Sequence, residues 1–377
     1  MLIPRRLDPA CFKGLFRDAI RVGETWYIYE ELYYAPGTHP LGVQWENVVR
    51  TSPDGTNWSP YGGSLTPPGA DGSFDRRGQA DPTVVYVGPG DWRMLFDALD
   101  ENNKWRGFGL ATSEDGITWV KRTDPVMEWG PAGAWDSGYI HHPCMMQDGD
   151  GLFHVFYAGS MTGGGGYAIG HATSEDCITW VKDAAPVIQC GTQTGDPDMT
   201  RVRPCSPIYY DGRWWMYYWG YTAAEAMSRT CLAVSDDLSA WAKLGVAYEP
   251  TGEPYGKKAG VERGSQAAAI TTDLDGNHVM YLVHNTGSAY YTHRVEMDPT
   301  AFHDTSRTLL VPMIDWDTER FISGSFAEFD TRRVVLDRAF VVHDLARDLW
   351  APPPPDQVGP FRIEVDPSYY KVVVKDV

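Results

Sequence analysis

Thr112-Ser-Glu-Asp-Gly-Ile-Thr-Trp119 and Thr173-Ser-Glu-Asp-Cys-Ile-Thr-Trp180 are nearly the same phrase written twice. Thr51-Ser-Pro-Asp-Gly-Thr-Asn-Trp58 precedes them and Val234-Ser-Asp-Asp-Leu-Ser-Ala-Trp241 follows, so four tryptophans stand at intervals of 61 residues. One further step lands on Phe302, again an aromatic. A fixed period of this size marks an architecture of repeated units, each too small to bury its own apolar face.

A second landmark runs in phase with the first. Asp81-Pro82, His142-Pro143 and Arg203-Pro204 are also 61 residues apart, and each is followed by an aromatic run: Trp92–Phe96, Phe153–Tyr157 and Trp214–Tyr218. Each unit then reads as strand, Gly/Asp turn, aromatic strand, loop, a third strand ending in Ala-Thr-Ser or Ala-Val-Ser, the tryptophan turn and a short fourth strand. Four strands per unit describe a propeller blade. Blade one falls on Arg17–Tyr29 and blade five on Gly264–Val283, which predicts an all-β, five-bladed β-propeller over residues 1–305. A stacked solenoid suits four short strands per repeat less well than radial closure. Beyond residue 305 the period fails. Residues 306–377 predict a C-terminal β extension, with a stiff spacer at Pro352–Pro355 and strands at Phe361–Val365 and Tyr370–Val374. That tail would complete the ring, pack along its side or mate with a partner subunit.

Composition narrows the partners. Of 377 residues 43% are hydrophobic, with 15 Trp and 21 Tyr, enough to build a core. A net charge of −18 opposes binding to nucleic-acid phosphates or an anionic membrane. Charged residues from Arg5 to Asp18 leave no apolar run for a signal peptide, so a cytoplasmic location is expected, a virion or surface-assembly component being the alternative. The six cysteines lack metal-binding spacing and read as free thiols. Asp148-Gly-Asp-Gly151 and Asp273-Leu-Asp-Gly276 lack the downstream Glu of a calcium loop and read as hairpin turns. Gly163 to Gly166 form a loop unlike any phosphate-cradling fingerprint.

Propeller chemistry is expected where the innermost strands begin, because their first side chains converge on one funnel. Those starts carry Arg17 and Asp18, Gln79 and Asp81, His141 and His142, Arg201 and Arg203, then Glu262, Arg263 and Gln266. Polar residues stand where apolar ones would be cheaper. Side chains alternate along a strand, so at most one of His141 and His142 is expected to face the channel. The arginines either neutralise the acids or grip a carboxylate, sulfate or phosphate on the substrate. Trp45, Trp105, Trp129, Tyr139 and Tyr221 are placed to stack on sugar rings. No cofactor is expected, although Asp81, His141, His142 and Glu262 are chemically fit to hold a single axial metal ion.

Asp18, Asp81-Pro82 and the segment Trp135-Asp-Ser-Gly-Tyr-Ile-His-His-Pro143 resemble the blade starts of the five-bladed propeller glycosidases, which include arabinanases and β-xylosidases, invertases and levansucrases, and anhydrogalactosidases. The resemblance implies a glycoside hydrolase, with Asp18 as base or nucleophile and Asp81 orienting the sugar. It also exposes a departure. The blade-three Glu that serves the family as acid is replaced by the histidine pair, leaving His142 or Glu262 as the acid, with Asp136 in reserve. Arg17, His141, Arg201, Arg203, Arg263 and Gln266 become substrate contacts. The substrate implied is a furanosidic or otherwise unusual glycan, and an anionic one if the arginines contact it. Two other readings stand beside this one: a non-catalytic glycan-binding propeller in a larger assembly such as a phage tail or cell-surface complex, with the C-terminal extension as its docking element, and a mannoside-type phosphorylase whose arginines hold phosphate.

Overall fold

In unit one, β2 (Phe16–Val22), β3 (Thr25–Tyr33) and β4 (Trp45–Ser52) form an antiparallel meander. The computed structural model describes residues 3–161, 167–210, 212–248 and 261–298, with four short strands beyond. Unit two contains β5 (Gly78–Gly88), β6 (Asp91–Leu99), β7 (Trp105–Ser113) and β8 (Trp119–Lys121). Unit three contains β9 (Tyr139–Gln147), β10 (Phe153–Ser160), β11 (Ala168–Ser174) and β12 (Val181–Lys182), and unit four β13 (Arg201–Tyr210), β14 (Arg213–Thr222), β15 (Met227–Ser235) and β16 (Ala242–Tyr248). Unit five runs through β17 (Arg263–Thr272), β18 (His278–Asn285) and β19 (Tyr290–Asp298). Its fourth strand comes from the other end of the chain: β1 (Ile3–Lys13) lies antiparallel on β19. The repeat contains no signal for that strand, and the period assigns it to no unit.

The innermost strands follow one another in cyclic order. β2 packs on β5, β5 on β9, β9 on β13, β13 on β17 and β17 on β2. Apolar cores fill the seams between units. Val85, Leu95 and Phe108 meet Ile140, Val155 and Tyr157 between units two and three, while Phe16, Trp26 and Ile28 meet Val279, Tyr281 and Val283 between five and one. Each such large side chain contributes about 1.5–3 kcal/mol by leaving water.

The repeated octapeptide is a turn that satisfies its own backbone. Ser113 Oγ accepts from the amides of Asp115 and Gly116, and Asp115 Oδ1 from those of Ile117 and Thr118, closing the turn without cross-strand partners. The Trp119 indole then donates back to Gly116 O, as Trp180 does to Cys177 O and Trp241 to Leu238 O. Neighbouring units read the same turn: Tyr29 OH donates to Gly116 O and Tyr281 OH to Gly55 O.

Two glycines are required where one unit's third strand runs parallel against the next innermost strand. A Cβ on Gly78 would sit 2.1 Å from Trp45 O and one on Gly264 1.9 Å from Ser228 O, at φ of 134° and 115°. The Asp148 and Asp273 segments are hairpin turns, each with its Oδ1 accepting two backbone amides. Toward the C-terminus β20 (Ile314–Asp315) pairs with β21 (Arg320–Phe321), and β22 (Phe361–Asp366) with β23 (Lys371–Asp376). The two strands expected there pair with each other; the spacer at Pro352–Pro355 and the glycines from 163 to 166 lie outside the described residues.

Candidate active site

Every innermost strand has a register irregularity near its start. The breaks fall between Phe16 and Asp18 in β2, Ala80 and Thr83 in β5, His141 and Cys144 in β9, Pro204 and Ser206 in β13, and Ser265 and Ala267 in β17. A bulge re-aims the residue it releases from the ladder. Asp81 and His142 take left-handed φ of 48° and 52°, a conformation that non-glycine residues seldom adopt and that collects at functional sites.

The consequence is a cavity of about 310 Å³ lined by Arg17, Glu31, Asp81, His141, His142 and Arg203, with Trp45, Trp105, Tyr139 and Tyr167 among its walls. Both histidines reach it, contrary to strict alternation, because the left-handed turn at His142 breaks the pleat between them.

Charge is concentrated on Asp81. Arg17 Nε and His142 Nδ1 each lie 2.7 Å from its Oδ1. Burial alone would raise this carboxyl; the Arg17 and His142 neighbours outweigh it and hold Asp81 well below the usual range. Arg17 also donates from its terminal nitrogen to Glu31 Oε1 at 2.6 Å, and Glu31 Oε2 accepts the Asp81 amide at 3.0 Å. Burial raises Glu31 despite Arg17. Behind the histidines, Asp97 Oδ2 stands 3.0 Å from His141 Nδ1 and accepts the His142 amide at 3.2 Å. Burial, with the charge of Asp81, pushes Asp97 well above the carboxylate range. Burial and Arg203 lower His142 to about 4, so its ring is neutral at pH 7.

Asp18, expected as base or nucleophile, is placed elsewhere. The β2 bulge sends Arg17 into the cavity, while Asp18 Oδ2 accepts Val84 N at 2.7 Å and Thr83 Oγ1 at 3.0 Å, and Oδ1 accepts Ala19 N at 2.8 Å. Its carboxylate ties β2 to β5 and is absent from the lining. Glu262 accepts from Ser228 Oγ at 3.2 Å, and neither it nor Arg263 belongs to the lining. Arg201 is exposed and outside the lining, over the rings of Tyr167, which lines the cavity, and Tyr221, 5.2 and 5.8 Å from their centroids. The Gln266 side chain lies outside the described residues. Asp136 is held by Lys182 at 2.7 Å and Tyr157 OH at 3.2 Å. Trp45, Trp105 and Tyr139 line the cavity, Trp129 packs under Arg106, and Tyr221 stacks on Trp219.

Glu31 and Asp97 were missed by the sequence reading. They occupy matching places at the ends of aromatic strands, after Trp26–Tyr29 and Trp92–Phe96, where units three and four carry Ala158 and Trp219. An acid at the end of so apolar a strand was the signal available.

Donor atoms of Asp81, His141 and His142 fall within 4.8 Å of one another, the spacing of a metal site. Arg17 holds the Asp81 oxygen nearest the histidines, while Asp97 engages only Nδ1 of His141, the way an outer carboxylate orients an imidazole that ligates through Nε2.

No family model matches the chain. An uncharacterized protein of Mycobacterium tuberculosis (strain CDC 1551 / Oshkosh) is 28% identical over 188 residues, 47% of this chain and 58% of that protein, so the match spans less than two thirds of its length. Among solved structures, a thermostable family-43 glycoside hydrolase superposes with a TM-score of 0.55 at 16% identity, covering 78% of this chain and 91% of that one. A putative glycosidase from Bacteroides thetaiotaomicron gives 0.56 at 17%, covering 77% and 88%. The β-1,2-mannobiose phosphorylase of Listeria innocua gives 0.56 at 12%, covering 75% and 89%. At such identities the likeness is one of fold: the chain has the propeller fold of these carbohydrate-active enzymes.

Proposed function

We propose that this protein is a glycosidase that cleaves a terminal sugar in the central cavity. The observation that carries the reading is the Asp81–His142 pair, two residues of left-handed backbone from neighbouring units whose side chains meet in the lining of that cavity. An ionised carboxylate 2.7 Å from Nδ1 favours the ring's proton there and leaves Nε2 as a base. In this scheme His142 removes a proton from water as its oxygen attacks the anomeric carbon. Glu31, raised by burial, supplies the proton that the departing glycosidic oxygen takes up. Arg17 bridges the two carboxyl groups and keeps Asp81 charged. Groups whose environments push their proton affinities apart are the ones suited to opposite halves of acid–base catalysis.

The cavity lies at the small end of ligand sites, which favours one sugar ring at a chain end over the middle of a polymer. Trp105 and Tyr139 flank His141 at 4.8 Å each and provide apolar faces for that ring. A furanosidic or otherwise unusual sugar remains the proposed substrate class. The test is a panel of aryl glycosides and oligosaccharides assayed for reducing-sugar release, with Asp81→Asn as the matched variant. Turnover that falls about 10²–10⁴-fold in the variant supports the reading. Binding without turnover across the panel would instead mark a glycan-recognition protein.

A further inference from the structure

Arg17 and Arg203 both enter the cavity, yet only Arg17 is directly ion-paired among the described residues. Arg17 is paired with Glu31 and Asp81. For Arg203, among the described residues, no carboxylate lies within ion-pairing distance, and its Nε is buried without a hydrogen-bond partner. Its recorded contact is with an aromatic face: the guanidinium carbon lies 4.2 Å from the centre of the Trp219 ring. Stacking of that kind uses the face of the guanidinium and leaves its in-plane N–H donors unspent. Burial and the nearby charge of Arg17 work against Arg203 as a cation and outweigh the more distant pull of Asp81 and Glu262. A guanidinium whose Nε is enclosed, which Arg17 repels and which Asp81 and Glu262 answer only from beyond ion-pairing distance, gains from an anion placed against its open edge.

The surroundings repeat the theme. Arg201, two residues earlier on β13, lies exposed over the rings of Tyr221 and the cavity-lining Tyr167, again with no carboxylate within ion-pairing distance among the described residues. Position 158, which corresponds to Glu31 and Asp97 in the first two units, is alanine and lines the cavity, so unit three adds no acid there. Among the lining residues, carboxylates thus gather on the side of units one and two and the guanidinium without an ion pair on the side of unit four, where Glu262 is bonded to Ser228 outside the lining.

We infer that Arg203 forms an oxyanion subsite, in which a phosphate, sulfate or carboxylate group lies against the in-plane edge of its guanidinium while Arg201 attracts the anion from outside the lining. Forked donors match such groups in geometry as well as charge. The anion has two sources: free inorganic phosphate, or an acidic substituent on the bound sugar. Binding would also offset the positive charge that bears on His142. The subsite deepens the carbohydrate reading by naming the substrate's charge, but its own test needs no turnover.

The test is calorimetric titration and thermal unfolding of the full chain with sodium phosphate, sodium sulfate, glucuronate and glucose, ionic strength being held constant with chloride. Saturable binding of at least one oxyanion, with a rise in Tm that chloride and glucose do not give, is the expected result. Arg203→Gln should weaken it about tenfold or more, and Arg203→Lys, which keeps the charge and loses the fork, by several-fold. Arg213→Gln, which removes a surface partner of Asp236, should bind as wild type. Phosphate binding unimproved by glucuronate identifies the free ion. Glucuronate binding tighter than both phosphate and glucose identifies a substituent on the sugar. No saturable oxyanion response, or wild-type affinity in both Arg203 variants, overturns the subsite. Anion binding without glycoside turnover overturns only the glycosidase reading.

Discussion

His142 Nδ1 stands 2.7 Å from Asp81 Oδ1 across the seam between units two and three, and both residues hold left-handed backbone to meet there. The pair sets a pH dependence. Burial and Arg203 lower His142 to about 4 from an ordinary 6.5, against the pull of Asp81. If neutral His142 is the base and Glu31 the acid, activity should rise through about pH 4 and fall again where Glu31, raised by burial, loses its proton, and Asp81→Asn should move the acid limb to lower pH by removing the opposing charge. Stability follows the same group. Between about pH 6.5 and 4 the unfolded chain binds the extra proton, so stability is lost as pH falls through that window. In His142→Gln the decline of Tm over this range should be shallower; an unchanged slope would remove His142 from the account.

Asp18 carries the opposite sign. Burial pushes its carboxyl up to about 6 from 3.8, even though it accepts three hydrogen bonds. The folded chain therefore holds the extra proton between those values, and the associated stability is lost as pH rises through about 6. Asp18→Asn should gain stability relative to wild type as pH increases from about 4 to 6, measured by thermal unfolding. It should also retain glycosidase activity. A loss of activity as large as that of Asp81→Asn would return Asp18 to the catalytic role the family resemblance assigns it.

The fold was legible because its signal repeats. The tryptophan turn recurs at a fixed interval, and each copy satisfies its backbone locally, so the pattern survives without knowledge of its neighbours. The site was half legible for the converse reason. Asp81, His142 and Arg203 stand 61 residues apart and converge as the register implies. In unit one the shorter turn obscured the register, and a bulge of one residue decides between Arg17 and Asp18; neither appears in composition or spacing. Glu31 and Asp97 sit on second strands, where attention to first strands alone could not find them. β1 escaped because a strand that joins unit five from the opposite terminus belongs to no period.

Gly78 is held to glycine by its backbone and by its neighbour. Its φ of 134° is closed to other residues, and a methyl group would meet Trp45 O at 2.1 Å where β4 and β5 run side by side. Gly78→Ala should destabilise the protein by at least about 2 kcal/mol, read from the urea midpoint. Gly264→Ala should do the same at the Ser228 crossing between units four and five. Ordinary stability in both would mean that the strand crossings relax at little cost.

A buried carboxylate in the approach to three innermost strands is clasped by a lysine on the same unit's fourth strand: Asp75 by Lys121, Asp136 by Lys182 and Asp198 by Lys243. Asp136 and Asp198 also accept tyrosine hydroxyls, from Tyr157 at 3.2 Å and Tyr218 at 2.9 Å. The lysines, partly in water, give up little by pairing; the aspartates, almost wholly buried, depend on it. Lys182→Met should therefore cost about 1–3 kcal/mol, because it leaves the Asp136 charge desolvated with only a neutral donor. Adding Asp136→Asn to Lys182→Met should recover part of that loss, since the amide has no charge to bury and its oxygen can still accept from Tyr157. Chemical denaturation of the two single variants and the double gives the coupling. If the double variant is as unstable as the sum of the singles, the clasp contributes nothing of its own, and the recurrence of Lys and Asp would need a reason other than electrostatic pairing.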